Sequence, residues 1–533
     1  MKGTFLPLKL TSYIELAKPF GQYIQSKHGK EAFINTEPTF KEMQSVRGSL
    51  DFAKMQSQLN NDYRLAAEFA TTVINYVRYV YLMDNFFAKD FVDPKGIKLV
   101  FPWTDSFQPN KKYKGLSHSK YELASVLYNL AIIYYTEGIH YASGPQDQDK
   151  LKGIAKLRNS LWCLNEIKMI LPGILVHPSD LPNDLNLTFI TLLINYITGL
   201  TYATLIEIMV KDTKKNSNEK LAGVNKAAAN HFQMAYDILK ALKQYPLPEQ
   251  DTKRLLANLH FNAAMHKAEA MYRITLTHLD KVDEEILKGH MGYATSYLRI
   301  AKEELDNLCV KKGDAELLTP EQQEELGKLR KIINSNYDNC ALKNAKVYKQ
   351  QEFAPEQLPE IPEDKTAITG MEPKDIKGKV GSEHKFECFL SPEILALKKE
   401  FMDLVSTKAF ELENNLKNLH TTKNKLYAEA YVNYLLSLEN QSNNKKMEIP
   451  PELKQRIDRF RQNGGFTTYE MTRKNITESG ANCGAIIDQI KNQLAKEKDE
   501  DEAIRKTYPQ KWLRPYSEQV NKDYVFKLRG MFL

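Results

Sequence analysis

The stretch YELASVLYNLAIIYY, residues 121–135, leaves a helix no face for water. Apolar and aromatic side chains fill nearly every position, so a helix here has to be covered on all sides by other elements. Two polar residues interrupt it, Glu122 and Asn129. Seven residues make two helical turns, so the pair shares one face. A buried polar group without a partner costs about 1 to 3 kcal/mol, and both side chains are expected to bond backbone in neighbouring loops.

A second apolar stretch, FITLLINYITGLTYATLIEIMV at 189–210, has one charge, Glu207, in 22 residues. About 20 such residues suffice to span a bilayer. Its four threonines, Asn195, two tyrosines and Glu207 argue against a span and for a helix buried in a solenoid, with a membrane-spanning helix as the rival reading. At 533 residues the chain is too long for one core, and 42% apolar with 26% charged residues is a globular composition. The net charge of +7 is small and dispersed, which argues against a nucleic-acid protein and leaves room for contact with an anionic membrane or an acidic partner. Five scattered cysteines without metal-ligand spacing fit a reducing compartment, and MKGTFLPLKL has too short an apolar run for a signal peptide, so a cytoplasmic location is expected.

Alternation at Phe5, Leu6, Leu8 and Leu10, and again in IKLVF at 97–101, predicts short strands near the N-terminus. The remainder is helical. Ala228, Phe232, Ala235, Leu239 and Leu242 recur at spacings of three and four, and HFNAAMHKAEAMYRI at 260–274 repeats the style without a fixed repeat length. The expected fold is all-α: an elongated helical-hairpin solenoid of the TPR-like kind with a small N-terminal β element, over residues 1–370. Prolines 355, 359, 362 and 373 then break helix propagation, giving an extended or wrapping segment and a linker at 371–391. Heptad-like spacing from Pro392 predicts a long-helix arm over 392–533.

No constellation for catalysis stands out. His260 and His266 are six apart, which does not put two metal ligands on one helix face. GMEPKDIKGK lacks the glycine spacing of a phosphate loop, and Cys163 beside Trp162 reads as a small buried hydrophobe. A non-enzymatic chain with no metal, no cofactor and no small-molecule substrate is expected.

FPWTDSF at 101–107, followed by YELASVLYNLAIIYY and a helix starting near DKLKGIAK (149–156), resembles the core signature of the Bro-one domain family of ALIX-like, ESCRT-associated adaptors. LAKPF at 16–20 is similar to that family's entry passage, and VYKQQEFAPEQLPEI at 347–361 to its exit. IDRFRQNGGFTTYEM and DEDEAIRKTYPQKWLRPYS (499–517, with Trp512, Arg514 and Ser517) resemble the first half of the V domain that follows in such adaptors. The chain ends at Leu533, ahead of the segment where the family holds its YPxL-type peptide pocket, so a partial V domain without that activity is expected.

The resemblance implies an adaptor that binds the C-terminal amphipathic helix of a Snf-type ESCRT-III subunit, is held peripherally on endosomal membrane, and serves multivesicular body sorting and vesicle budding. The alternative on the same fold is a signalling scaffold of a pH-response or small-GTPase pathway without ESCRT-III binding. Aligned through AAANHFQMAY, the helix-binding patch falls on Ile206, Met209, Leu221 and Val224, with Asp149 and Lys152 as polar rim and Ile368 from the wrapping segment. The family's aromatic anchor falls on Glu207 and another aliphatic on Lys220. Core positions are the other reading of the four apolar residues. Tyr348, at the family's exit tyrosine, is implied as a phosphorylation site or else as a cap on the end of the solenoid.

Overall fold

The computed structural model describes most of residues 6–380, then 392–429, 451–462 and a few residues between 470 and 496. The chain divides into two compact units, Met1–Lys385 and Phe386–Leu533.

Ten helices build the described part of the first unit: α1 (Ala17–Gly48), α2 (Phe52–Asn61), α3 (Ala66–Val92), α4 (Ser119–Ala142), α5 (Asp147–Ile170), α6 (Leu187–Met209), α7 (Asn218–Ala241), α8 (Glu249–Leu279), α9 (His290–Val310) and α10 (Pro320–Lys343). From α3 to α10 each helix packs on the one before it and the one after it, the serial contact of a solenoid. Helix starts are set locally. Ser217 caps α7 by accepting from the Lys220 amide, and Thr319 and Gln322 form a reciprocal capping box on α10, with Pro320 at the first helical position. α1 bends at Gly29, whose φ of +90° is open to glycine and strained for other residues.

α6 is the one described helix long and apolar enough to cross a membrane, and 78% of its apolar window is buried in the fold, between α5 and α7. Its threonines do not obstruct burial. Thr198, Thr201 and Thr204 return their hydroxyls to carbonyls one turn back at 2.7, 2.7 and 2.8 Å, so their polar atoms are satisfied within the helix.

The expected N-terminal β element is not formed among the described residues. Two isolated bridges, Thr11 with Trp103 and Phe101 with Leu116, stand in its place. The reason lies in where the backbone bonds go. The amides of Leu8, Lys9 and Leu10 donate to the side chains of Gln56, Asn129 and Thr104 at 2.6, 2.6 and 3.1 Å, which leaves no ladder for a strand.

Those bonds explain the polar seam of α4. Asn129 bonds backbone as expected, holding Lys9 by both its amide and its carbonyl. Glu122 instead bonds side chains: it accepts from Arg47 Nε at 3.0 Å, Tyr76 Oη at 2.7 Å and Trp103 Nε1 at 2.5 Å. The FPWTDSF motif is therefore structural. Trp103 plugs into Glu122, and Asp105 accepts from the Phe107 and Asn183 amides, both at 3.0 Å. Asp184 accepts from the Ser106 amide and from Lys9 Nζ, both at 2.6 Å.

After α10 the chain runs back across the stack as an extended strap. The Phe353 amide donates to Ser296 of α9 at 2.8 Å, and Tyr297 donates to the Pro359 carbonyl at 2.6 Å. Asn230 of α7 donates to Glu363 at 2.7 Å; the Met371 amide donates to the Arg158 carbonyl of α5 at 2.8 Å; Arg78 of α3 donates to the Asp375 carbonyl at 2.7 Å. The expected linker thus begins later than residue 371, because Met371, Asp375 and Lys377 are still bound to α3 and α5.

In the second unit, α11 (Pro392–Glu429) and α12 (Pro451–Gln462) are helical. α11 exposes Leu397, Met402, Leu404, Phe410, Leu419 and Tyr427. Trp512, Arg514 and Ser517 lie outside the described residues.

Candidate partner-binding surface

Antiparallel stacking puts the start of α5, the end of α6 and the start of α7 at one end of the hairpins. Ion pairs tie this end together: Lys150 of α5 with Glu207 of α6, and Lys211 Nζ with Asp147 Oδ1 at 2.5 Å. Asp149 and Lys152 pair with each other at 3.2 Å. Asp149 and Lys152, expected as polar rim, thus form one of three ion pairs at this end, and Glu207 belongs to another.

On α6, Tyr202, Ile206 and Met209 share a face by their spacing of four and three. The strap meets that face, with the Ile368 amide 3.4 Å from the Tyr202 hydroxyl. On α7, Leu221 and Val224 are four and one residues from Asn225, whose Nδ2 donates to the Leu221 carbonyl. The fold therefore gathers Ile206, Met209, Leu221, Val224, Asp149, Lys152 and Ile368 around one end of α5, α6 and α7.

Their accessibility differs. Leu221 and Val224 have 0% exposure, Ile206 6% and Met209 8%, while Ile368 is half-buried. The first two are core as the chain stands. Leu151, which sequence reasoning missed, is 56% exposed beside Lys152 near the start of α5. Its signal was an aliphatic set between lysines in DKLKG. Ile208 and Val210 are half-buried at the same end.

Among the described residues no three His, Cys, Asp or Glu side chains gather as a metal site. Cys163 is fully buried, and burial pushes its thiol well above the ordinary range, the reverse of an activated nucleophile. His231, stacked on Tyr202, is lowered by burial. Tyr348 is half-buried against the α8–α10 core cluster.

The family model described as BRO1-like domain matches residues 4–417. This chain belongs to the BRO1-like domain family. A second model, described as ALIX V-shaped domain binding to HIV, matches residues 448–531. Vacuolar-sorting protein BRO1 of Arabidopsis thaliana is 22% identical over 98% of the chain, which spans 58% of that relative's length. Among solved structures, one titled for endosomal targeting by the Bro1 domain superposes with a TM-score of 0.54 at 16% identity, covering 73% of this chain and 98% of that one. ALIX in complex with the SIVmac239 PYKEVTEDL late domain gives 0.55 at 16% identity, covering 100% and 71%. An ALIX BRO1 CHMP4C complex gives 0.54 at 17% identity, covering 71% and 98%. The BRO1-like assignment accounts for the helical stack and for the α4 signature.

Proposed function

We propose that this BRO1-like protein is an ESCRT-associated adaptor whose solenoid captures the C-terminal amphipathic helix of a Snf-type ESCRT-III subunit and brings it to endosomal membrane from the cytoplasmic side, for multivesicular body sorting. The observation that supports this reading is the α5–α6–α7 end, where three ion pairs stand beside exposed Leu151 and the edge of α6 that carries Ile206 and Met209, with Ile368 of the strap against Tyr202 of the same helix. Apolar anchors inside a charged rim are what helix-in-groove recognition uses. The complex of a related BRO1 domain with CHMP4C and the vacuolar-sorting name of the plant relative point the same way.

The test is direct binding of the full chain to a synthetic tail helix of the same organism's Snf-type subunit, by calorimetry in the absence of lipid. Saturable one-to-one binding is expected. No affinity for that helix would sink the reading and favour the signalling-scaffold alternative.

A further inference from the structure

α10 ends the serial stack, and its two sides differ sharply. Leu326, Leu329, Ile333 and Cys340 are buried against the rest of the unit. The outer side carries Ile332 at 44%, Leu342 at 53% and Val347 at 68% exposure, an unusual concentration of aliphatic surface on 16 residues of helix. Residues 344–348 form a π turn, closed by Lys349 in the left-handed region at φ +52°. Leu342 and Lys346 are one turn apart, as are Lys343 and Val347, so aliphatic and cationic side chains alternate over one patch.

The charge of this tip is one-sided. Between residues 328 and 349 the sequence has Lys328, Arg330, Lys331, Lys343, Lys346 and Lys349 against the single carboxylate Asp338. Lys328 is paired with Glu324 and Arg330 with Asp306. Lys331, Lys343, Lys346 and Lys349 are exposed and have no ion pair among the described residues. A patch made to meet a protein core would neutralise such cations. Lysines on long flexible stems around short aliphatics instead suit a surface that is anionic at the headgroups and apolar beneath them.

We propose that the α10 tip, through Lys343, Lys346 and Lys349 with Leu342 and Val347, is a direct contact for anionic phospholipid bilayers. The proposal deepens the membrane half of the adaptor reading and rests on it for context. It is independent of the ESCRT-III helix in its test, because no ESCRT-III subunit is present.

The full chain is sedimented with phosphatidylcholine vesicles, with and without phosphatidylserine. Binding is expected only with phosphatidylserine. Reversing three lysines in Lys343→Glu, Lys346→Glu, Lys349→Glu together should lower the partition coefficient by about a hundredfold or more. The Leu342→Ser, Val347→Ser double variant should weaken it less, and thermal unfolding should be unchanged in both, since all five positions are largely exposed. Failure of the wild-type chain to bind either vesicle, or binding by the triple-lysine variant at the wild-type level, overturns the assignment. Equal binding to neutral vesicles does so too. A chain that fails here yet binds the tail helix in solution leaves the adaptor reading standing.

Discussion

Asn129 in the middle of α4 grips Lys9 at the N-terminal end of the chain through two backbone bonds. Its Oδ1 accepts from the Lys9 amide at 2.6 Å and its Nδ2 donates to the Lys9 carbonyl at 3.0 Å. Both residues are fully buried, so no water can replace either bond. The same lysine sends its ammonium to Asp184, and residues 8–10 are thereby fixed to α4 and to the loop before α6.

Asn129→Leu removes both partners at once and leaves a buried N–H and C=O unmet, each worth about 1 to 3 kcal/mol. A loss of about 2 to 6 kcal/mol in urea unfolding is expected. Asn129→Asp keeps the acceptor but cannot donate and adds a buried charge, so it should do no better. Near-wild-type stability of either variant would show that the Lys9 segment is not held by this contact.

His266 supplies a pH dependence. It stacks on Phe232, with its Nδ1 2.9 Å from Asn225 Oδ1. Asn225 Nδ2 is committed to the Leu221 carbonyl, so Oδ1 must accept and the ring must carry its proton on Nδ1. Burial lowers His266 to about 4, below the ordinary value of 6.5 that it regains on unfolding. Between those values the unfolded chain binds more protons, so stability is full above about pH 6.5 and declines as pH falls toward 4. His118 and His278, also lowered to about 4 by burial first, act in the same direction. Urea midpoints at pH 7.5 and pH 5 should converge in His266→Gln relative to wild type; an identical pH loss in both chains would remove His266 from the account.

Gly223 tests how the strap is held. A β-carbon there would come 2.9 Å from the Pro362 carbonyl and 3.1 Å from the Asp364 amide nitrogen. In a free helix Gly→Ala gains about 0.5 to 1 kcal/mol. Against the strap backbone it should instead cost about 1 to 3 kcal/mol, the range of overpacking. Gly223→Ala is therefore expected to be net destabilising and to expose residues 350–378 to protease before the helices. A stabilised variant with an uncut strap would mean that the segment yields without cost.

The helical stack was legible because apolar residues at spacings of three and four and helices apolar all round state it directly: residues 121–135 had to be surrounded, and α4 is. What escaped were bonds between residues far apart in the chain. Glu122 reaches Arg47, Tyr76 and Trp103, separated from it by 75, 46 and 19 positions, and no local pattern announces such partners. The alternation of Phe5 to Leu10 read as a strand because apolar spacing reports burial and not where amides donate. At the candidate site the sequence pattern could not tell a covered position from an open one. Leu221 and Val224 on α7 are fully buried, whereas Ile368 on the strap is half-buried.

That difference in burial separates recruiting surface from core by experiment. Val224 has no exposed surface, so Val224→Asp places a carboxylate in the interior and should cost more than about 3 kcal/mol, visible as collapsed melting before binding can be assayed. Ile368 is half-buried on a strap whose fastening runs through backbone and through neighbours on both sides, so Ile368→Asp should shift melting little. If the tail helix docks against Ile368 and the adjoining edge of α6, the same substitution should cost more than about 1 kcal/mol of binding, a fivefold or greater loss. Met209, 8% exposed, lies between the two and should show both effects in part. Unchanged tail-helix affinity in a folded Ile368→Asp chain would place the docking surface elsewhere, and an unperturbed Val224→Asp fold would mean that α7 opens far more readily than its burial allows.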